Sequence, residues 1–317
     1  MRILIIGAAG MVGRKLSQRL ARDGSLGAEP ISELTLADVA GGDGILAADL
    51  TQPGVAAELV AGRPDVIVHL AAVVSGEAEA SFAKGYRVNL DATRHLLEAI
   101  RLAGRGDAPR VVFSSSIAVF GPPVPDVITD DHAPAPATSY GTQKAITELL
   151  LADYTRRGFL DGIGLRLPTV CVRPGAPNLA ASGFFSNIIR EPLHGRPAVL
   201  PVSTEVRHWF ASPRAAVGFL VHAATLETAA LGQRRSLTMP GLSATVGEEI
   251  EALRRVAGDD AVALIRAEPD ATIAQMVDGW PRAFDARRAT ALGFVAERTF
   301  DEIVRVYVEE EMGGTLP

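Results

Sequence analysis

A chain of 317 residues can bury a large core, as one large α/β domain or two closely packed ones. At 48% hydrophobic and 21% charged it has the composition of an ordinary globular protein, and a net charge of −6 leaves no basic surplus to neutralise nucleic-acid or membrane phosphates. A single cysteine, Cys171 between Val170 and Val172, excludes an intrachain disulfide or thiolate metal cluster and reads as a buried inert thiol.

The first strand is expected at RILIIG (2–7), entered from the opening methionine without a cleavable leader pattern. No segment approaches the roughly 18 consecutive apolar residues of a membrane span, so a cytoplasmic, reducing location is expected. Further strands are predicted at ELTLAD (33–38), GILAAD (44–49), DVIVHLAA (65–72), RVVFSS (110–115) and GIGLRLP (162–168). Helical periodicity fills the gaps, as in GRKLSQRLARDG, with Leu16 and Leu20 on one face, and in YRVNLDATRHLLEAIRLAG. Strict alternation of helix with continuous apolar strands requires a sheet covered on both faces. The fold class is therefore α/β, a doubly wound parallel (Rossmann) sheet with a smaller C-terminal lobe.

Beyond about residue 170 the rhythm loosens into loops, including RPGAPNLAASGFFSN, and separate helical pieces. Thr245 and Glu248 form a capping-box pattern at the start of one helix, and FDARRATALGF followed by TFDEIVRVYVEEE reads as helix, turn, helix.

Gly7, Gly10 and Gly13 follow the first strand in G-x-x-G-x-x-G spacing. A chain passing from strand to helix beside a pyrophosphate needs a tight turn, a side-chain-free approach and close helix packing, and glycine serves all three. Asp38, ending the second strand, is spaced to accept hydrogen bonds from an adenosine ribose and would repel a 2′-phosphate, so NAD is expected rather than NADP. Asp49 suits the adenine amino group. The expected division is residues 1–168 as the NAD-binding domain and 169–317 mainly as a substrate-binding lobe, with segments of about 205–235 returning to the first.

Tyr140 and Lys144 stand four apart in SYGTQKAITELLL and so on one helix face. A phenol of pKa about 10 is a poor base at neutral pH, and a nearby ammonium favours its phenolate, making Tyr140 a competent general acid/base. Upstream, VVFSSSIAVFG ends a strand in Ser114, Ser115 and Ser116, which can set a hydroxyl beside the tyrosine to bond a substrate oxygen.

Together, GAAGMVG, HLAAVVS, VNLDAT, VVFSSSIAVFG and YGTQK, in this order, resemble the extended short-chain dehydrogenase/reductase superfamily over nearly the whole chain. The resemblance implies Ser116 as the substrate-orienting hydroxyl, Tyr140 as acid/base, Lys144 as its activator and ligand of the nicotinamide ribose, and Asn89 as a structural and proton-relay residue. Ser115 is expected to line the pocket, with Ser114 facing the sheet. The cofactor-facing set it implies comprises Gly7, Gly10, Met11, Gly13, Asp38, Asp49, Leu50, Leu70, Ala71, Ala72, Asn89, Tyr140, Lys144 and Pro168.

Dehydratases of this superfamily carry an Asp-Glu pair after the serine or threonine; Ile117 and Ala118 stand here, which disfavours elimination. RHWFASPRAAVGFL resembles the segment that supplies an epimerase with an arginine for a substrate diphosphate, here Arg207. Ser75 and Trp280 resemble the branch that holds short-chain L-threonine dehydrogenases, where a serine and a tryptophan enclose a small hydroxy acid. Arg173, in PTVCVRPG, could anchor a carboxylate through its fork. Residues and spacing point to hydride transfer at a secondary alcohol, and the resemblance implies NAD-dependent oxidation of the C2 hydroxyl of a small sugar acid, with an L-threonine-type dehydrogenase, a nucleotide-sugar epimerase and a non-catalytic NAD sensor as alternatives. Neither a metal, for which Asp130–His132 is the sole imaginable motif, nor a role for the scattered histidines is expected. Ile146, Leu149, Leu150 and Tyr154 on the Tyr140 helix suit a homodimer face or a core contact.

Overall fold

A computed structural model describes residues 1–104, 106–175 and 182–316. The loop expected over 173–187 lies partly outside the described residues, and its last five residues open the helix Gly183–Leu193 instead. The chain divides into two units, one of residues 1–119, 136–167 and 217–238, the other of 120–135, 168–216 and 239–317.

The first unit is built on seven strands: β1 (Arg2–Ile6), β2 (Glu33–Asp38), β3 (Leu46–Ala47), β4 (Val66–His69), β5 (Arg110–Ser116), β6 (Asp161–Leu167) and β7 (Ser236–Thr238). They pair in the order β7-β6-β5-β4-β1-β2-β3, every pair parallel. Ile3, Leu4, Ile5, Ile67, Val112 and Ile163 are almost wholly buried, as strands covered on both faces require. The strand order reverses between β1 and β4, so a crevice opens there beyond the strands' carboxyl ends. The expected strand at 44–49 shrinks to β3; it lies at the sheet edge, where Leu46 is 53% exposed and no outer neighbour extends the ladder.

The helices of this unit include α1 (Met11–Asp23), α2 (Val55–Ala61), α3 (Ser75–Ala80), α4 (Phe82–Gly85), α5 (Ala92–Ala103) and α6 (Ser139–Arg156). The segment read as one helix from Tyr86 begins with a wider π turn, Tyr86–Asp91, that holds Asn89. Leu59 and Val60 of α2 and Leu96, Leu97 and Ile100 of α5 join Leu4, Ile67 and Phe113 of the sheet in one apolar cluster. Burial at roughly 25 cal/mol per Å² of apolar surface is what holds these layers together.

The second unit has its own core, in which Cys171, Phe185 and Phe210 pack with Val246, Leu253, Ile303 and Tyr307. Its helix Val246–Ala257 starts with the capping box expected: Thr245 Oγ1 accepts the Glu248 N–H while the Glu248 carboxylate accepts the Thr245 N–H.

Candidate active site

At the end of β1, Gly7 turns the chain with φ +89°, a left-handed conformation that glycine adopts without strain. A β-carbon there would lie 2.6 Å from the backbone nitrogen of Ala71, so the segment Leu70–Ala72 leaving β4 runs directly against the turn. One helical turn on, a β-carbon on Gly13 would fall 2.2 Å from the Gly7 carbonyl oxygen. Gly10 caps α1 with no side-chain bond, and Met11, half-buried, is its first residue. The result is a glycine-lined cradle at a helix N-terminus, whose leading N–H groups suit a pyrophosphate.

Asp38 closes one side of this turn, its Oδ2 accepting the Ala9 N–H at 2.9 Å and its Oδ1 the Ala40 N–H at 3.0 Å. Asp49 accepts the Thr51 N–H at 2.9 Å and the Gln52 amide at 3.2 Å; the Thr51 hydroxyl, and after it these bonds, hold its carboxyl below the usual range. Leu50 is buried beside it, with its carbonyl on His95 Nδ1 at 3.1 Å.

The three serines part company because side chains alternate along a strand. Ser114 donates to the His69 carbonyl of the neighbouring strand at 3.1 Å, and Ser116, half-buried, accepts the Ala118 N–H at 3.1 Å. Ser115, expected to line a pocket, is instead buried with its hydroxyl donated to Glu148 Oε1 at 2.5 Å. The alternation turns it toward α6, away from the course of its two neighbours.

Helix α6 begins where Thr138 Oγ1 accepts the Gly141 N–H at 3.0 Å, a cap of about 1 kcal/mol. Tyr140 is half-buried in its first turn, and Lys144 lies one turn later, 2% exposed. Lys144 Nζ donates to the Ser114 carbonyl at 2.7 Å and sits 4.6 Å from the Phe113 ring centre and 5.6 Å from that of Tyr140. Burial pushes the ammonium down to about 7, opposed by the negative charge of Glu148.

Asn89 is buried in the π turn and holds the chain after β4 at both backbone polar groups: its Oδ1 accepts the Val73 N–H at 2.8 Å and its Nδ2 donates to the Val73 carbonyl at 3.2 Å. The same Nδ2 donates to Gln143 Oε1 at 2.7 Å. Ser75, two residues on, is half-buried at the start of α3. Thr93 Oγ1 donates to the Asn89 carbonyl at 3.0 Å and lies 2.9 Å from His69 Nε2, so His69 carries its proton on Nε2. Burial keeps His69 neutral, its pKa lowered to about 3.

His69, Gln143 and Glu148 escaped the sequence reading. For Gln143 and Glu148 the available signal was polar residues one and four steps from Lys144 on α6; His69 ends the apolar run of β4 with no such pattern.

In the second unit Pro168 is buried. Arg173 donates to the Val170 carbonyl at 3.1 Å and to Ser182 Oγ at 2.6 Å, while Arg207 donates to the Ser243 carbonyl at 3.2 Å and pairs with Glu248 at 3.3 Å. Trp280 packs on the rings of His208, 5.2 Å between centres, and Phe185, 6.5 Å. Among the described residues no His, Cys, Asp and Glu cluster could hold a metal ion, and no helix is long and apolar enough to cross a membrane.

The model of the NAD dependent epimerase/dehydratase family matches residues 3–228. The chain belongs to that family. It is 48% identical to a D-erythronate dehydrogenase of Cupriavidus necator, covering 98% of each chain, and 40% identical to one of Haemophilus influenzae, covering 98% of this chain and 100% of the relative. A crystal structure from Agrobacterium tumefaciens, described as a nucleoside-diphosphate-sugar epimerase, shares 62% identity at a TM-score of 0.96, over 100% of this chain and 96% of that one. The protein is an NAD-dependent oxidoreductase acting on a small molecule, and the glycine cradle, the bare helix start and Asp38 fit that dinucleotide.

Proposed function

We propose that the protein oxidises the C2 hydroxyl of D-erythronate to give 2-dehydro-D-erythronate. The observation that carries this reading is Tyr140 one helical turn from a buried Lys144, whose Nζ is bonded to the strand end that also bears Ser116. Near-full-length identity to the two D-erythronate dehydrogenases supports the choice of substrate.

In this reading the cradle of Gly7, Gly10 and Gly13 holds the pyrophosphate and Asp38 the adenosine ribose, with Met11, Asp49, Leu50, Leu70, Ala71, Ala72 and Pro168 completing the enclosure. Bound NAD supplies the acceptor for the C2 hydride. Tyr140, as phenolate, removes the hydroxyl proton; Ser116 orients the substrate oxygen; and the Lys144 ammonium stabilises the phenolate and binds the nicotinamide ribose. General-base assistance of this kind contributes about 10²–10⁴-fold. Asn89 fixes the backbone at Val73, ahead of Ser75, which faces substrate. Arg173, Arg207 and Trp280 are the further proposed substrate residues, with one of the two arginines as the carboxylate ligand.

Incubation with NAD and D-erythronate should generate NADH, and Tyr140→Phe should stop it while NAD still binds. Absence of reduction across D-erythronate, other four-carbon acids and threonine would overturn the substrate assignment. A second reading, a nucleotide-sugar epimerase, is favoured by the description of the Agrobacterium tumefaciens structure. It predicts interconversion of a nucleotide sugar with NAD retained and no net NADH. The enzyme is further proposed to be cytoplasmic and a homodimer through α6, where Leu149 is 73% exposed. Sedimentation at a single monomer mass would contradict the dimer.

A further inference from the structure

We propose that Glu148 is a positioning residue for the oxidoreductase chemistry: from a site locked to the end of β5 it keeps Lys144 an ammonium. The proposal rests on the reading above, in which a charged Lys144 sustains the Tyr140 phenolate.

Glu148 lies one turn beyond Lys144 on α6 and is buried. A carboxylate taken out of water costs several kcal/mol unless its oxygens are bonded, and these are. Oε1 accepts Ser115 Oγ at 2.5 Å and Arg166 Nε at 3.0 Å, and Oε2 accepts Arg166 Nη2 at 2.7 Å. Ser115 is the residue between Ser114, whose carbonyl receives Lys144 Nζ, and Ser116. One carboxylate therefore fixes the strand end that holds the lysine and lies within electrostatic reach of the ammonium.

The lysine needs that charge. Its own hydrogen bond is to a neutral carbonyl, and burial disfavours the cation. The other ionisable groups around it do not supply an anion. Tyr140 shares its helix, His69 of β4 is held neutral by burial, and the Arg166 guanidinium of β6 is on Glu148. On the helices packed against α6, Glu77 pairs with Lys84, Glu79 accepts the Ser139 N–H, and Glu98 binds Arg101 and Tyr154. Arg87, Asp91 and Arg94 are exposed, and His95 is on the Leu50 carbonyl.

The chain has three lysines, Lys15, Lys84 and Lys144, so protein labelled with carbon-13 at lysine Cε gives a spectrum simple enough to titrate, with the Lys144 signal identified by its loss in Lys144→Met. Glu148→Gln keeps an acceptor for Ser115 and removes the charge. The Lys144 midpoint is expected to fall by about one pH unit or more, as for loss of an opposite charge nearby. Arg166→Met, which leaves the anion unpaired, is expected to raise it. A midpoint unmoved or raised in Glu148→Gln overturns the proposal; should that variant not fold, Arg166→Met decides, and a midpoint that does not rise overturns it. The titration needs no substrate, so a failed D-erythronate assay beside a shifted midpoint counts against the substrate reading alone.

Discussion

Gly141 stands against Ala118 so closely that a β-carbon on it would lie 2.1 Å from the Ala118 carbonyl oxygen. The same Ala118 donates its N–H to Ser116 Oγ. The first turn of α6, which carries Tyr140, is therefore set against the serine by the absence of a side chain.

Gly141→Ala should push these two backbones apart. Overpacking of this kind costs about 1–3 kcal/mol, and because the reacting groups move with the backbone, kcat should fall by about 10²-fold or more. Urea denaturation and steady-state kinetics check it, with NAD affinity near that of the parent because the cradle at Gly7 is untouched. A variant with unaltered kcat would show that the contact does not set the catalytic geometry.

Asp38 holds the glycine turn through the Ala9 N–H, and in the proposed reading its carboxylate faces the adenosine ribose. Asp38→Ala should weaken NAD binding by about tenfold, roughly 1.4 kcal/mol, while NADP binding improves relative to NAD. Calorimetric titration with both dinucleotides is the measurement. Equal losses for the two would mean that the carboxylate supports the turn without reading the ribose.

His69 makes acid stability testable. Its native pKa of about 3 lies below the ordinary 6.5, so on acidification the unfolded chain takes up a proton that the native protein refuses. Stability present above pH 6.5 should drain away toward pH 3, at about 1.4 kcal/mol per unit from this group. His69→Gln, which retains a donor for Thr93, should flatten the dependence of the urea midpoint on pH across this window. An unchanged slope would assign acid lability to the carboxylates alone.

Glu249 works in the opposite direction. Both of its carboxylate oxygens are buried without a partner on the helix Val246–Ala257, and burial raises its pKa well above the ordinary 4.5. The unfolded chain releases that proton above 4.5 while the native one retains it, so stability falls as pH rises. Glu249→Met should raise the denaturation midpoint, more at mildly alkaline than at mildly acidic pH. A variant less stable than the parent throughout would indicate that the carboxyl has a role in holding its lobe.

Much of the first unit was legible from residues near one another in sequence. ELTLAD becomes β2 over its full length, and the spacing of Gly7, Gly10 and Gly13 announces the turn because strand, turn and helix are contiguous. What escaped depends on partners far along the chain. Ser115 looks like its neighbours until Glu148, 33 residues on, claims its hydroxyl. GILAAD has the composition of a strand, yet the edge of the sheet offers pairing to only two of its residues. The π turn around Asn89 is invisible to a 3.6-residue period because the residues on either side remain helical. His69 and Gln143 read as ordinary polar residues in the sequence, and only burial with Asn89 and Thr93 makes them a network.

In the proposed reaction a hydride passes from C2 of the alcohol to NAD while Tyr140, aided by Lys144 and Ser116, takes the hydroxyl proton. D-Erythronate bearing deuterium at C2 tests it most directly: the NADH formed should carry the deuterium, the rate should fall relative to unlabelled substrate, and neither product nor label transfer should survive in Tyr140→Phe. Reduced cofactor free of deuterium, or full turnover by the phenylalanine variant, would contradict the account.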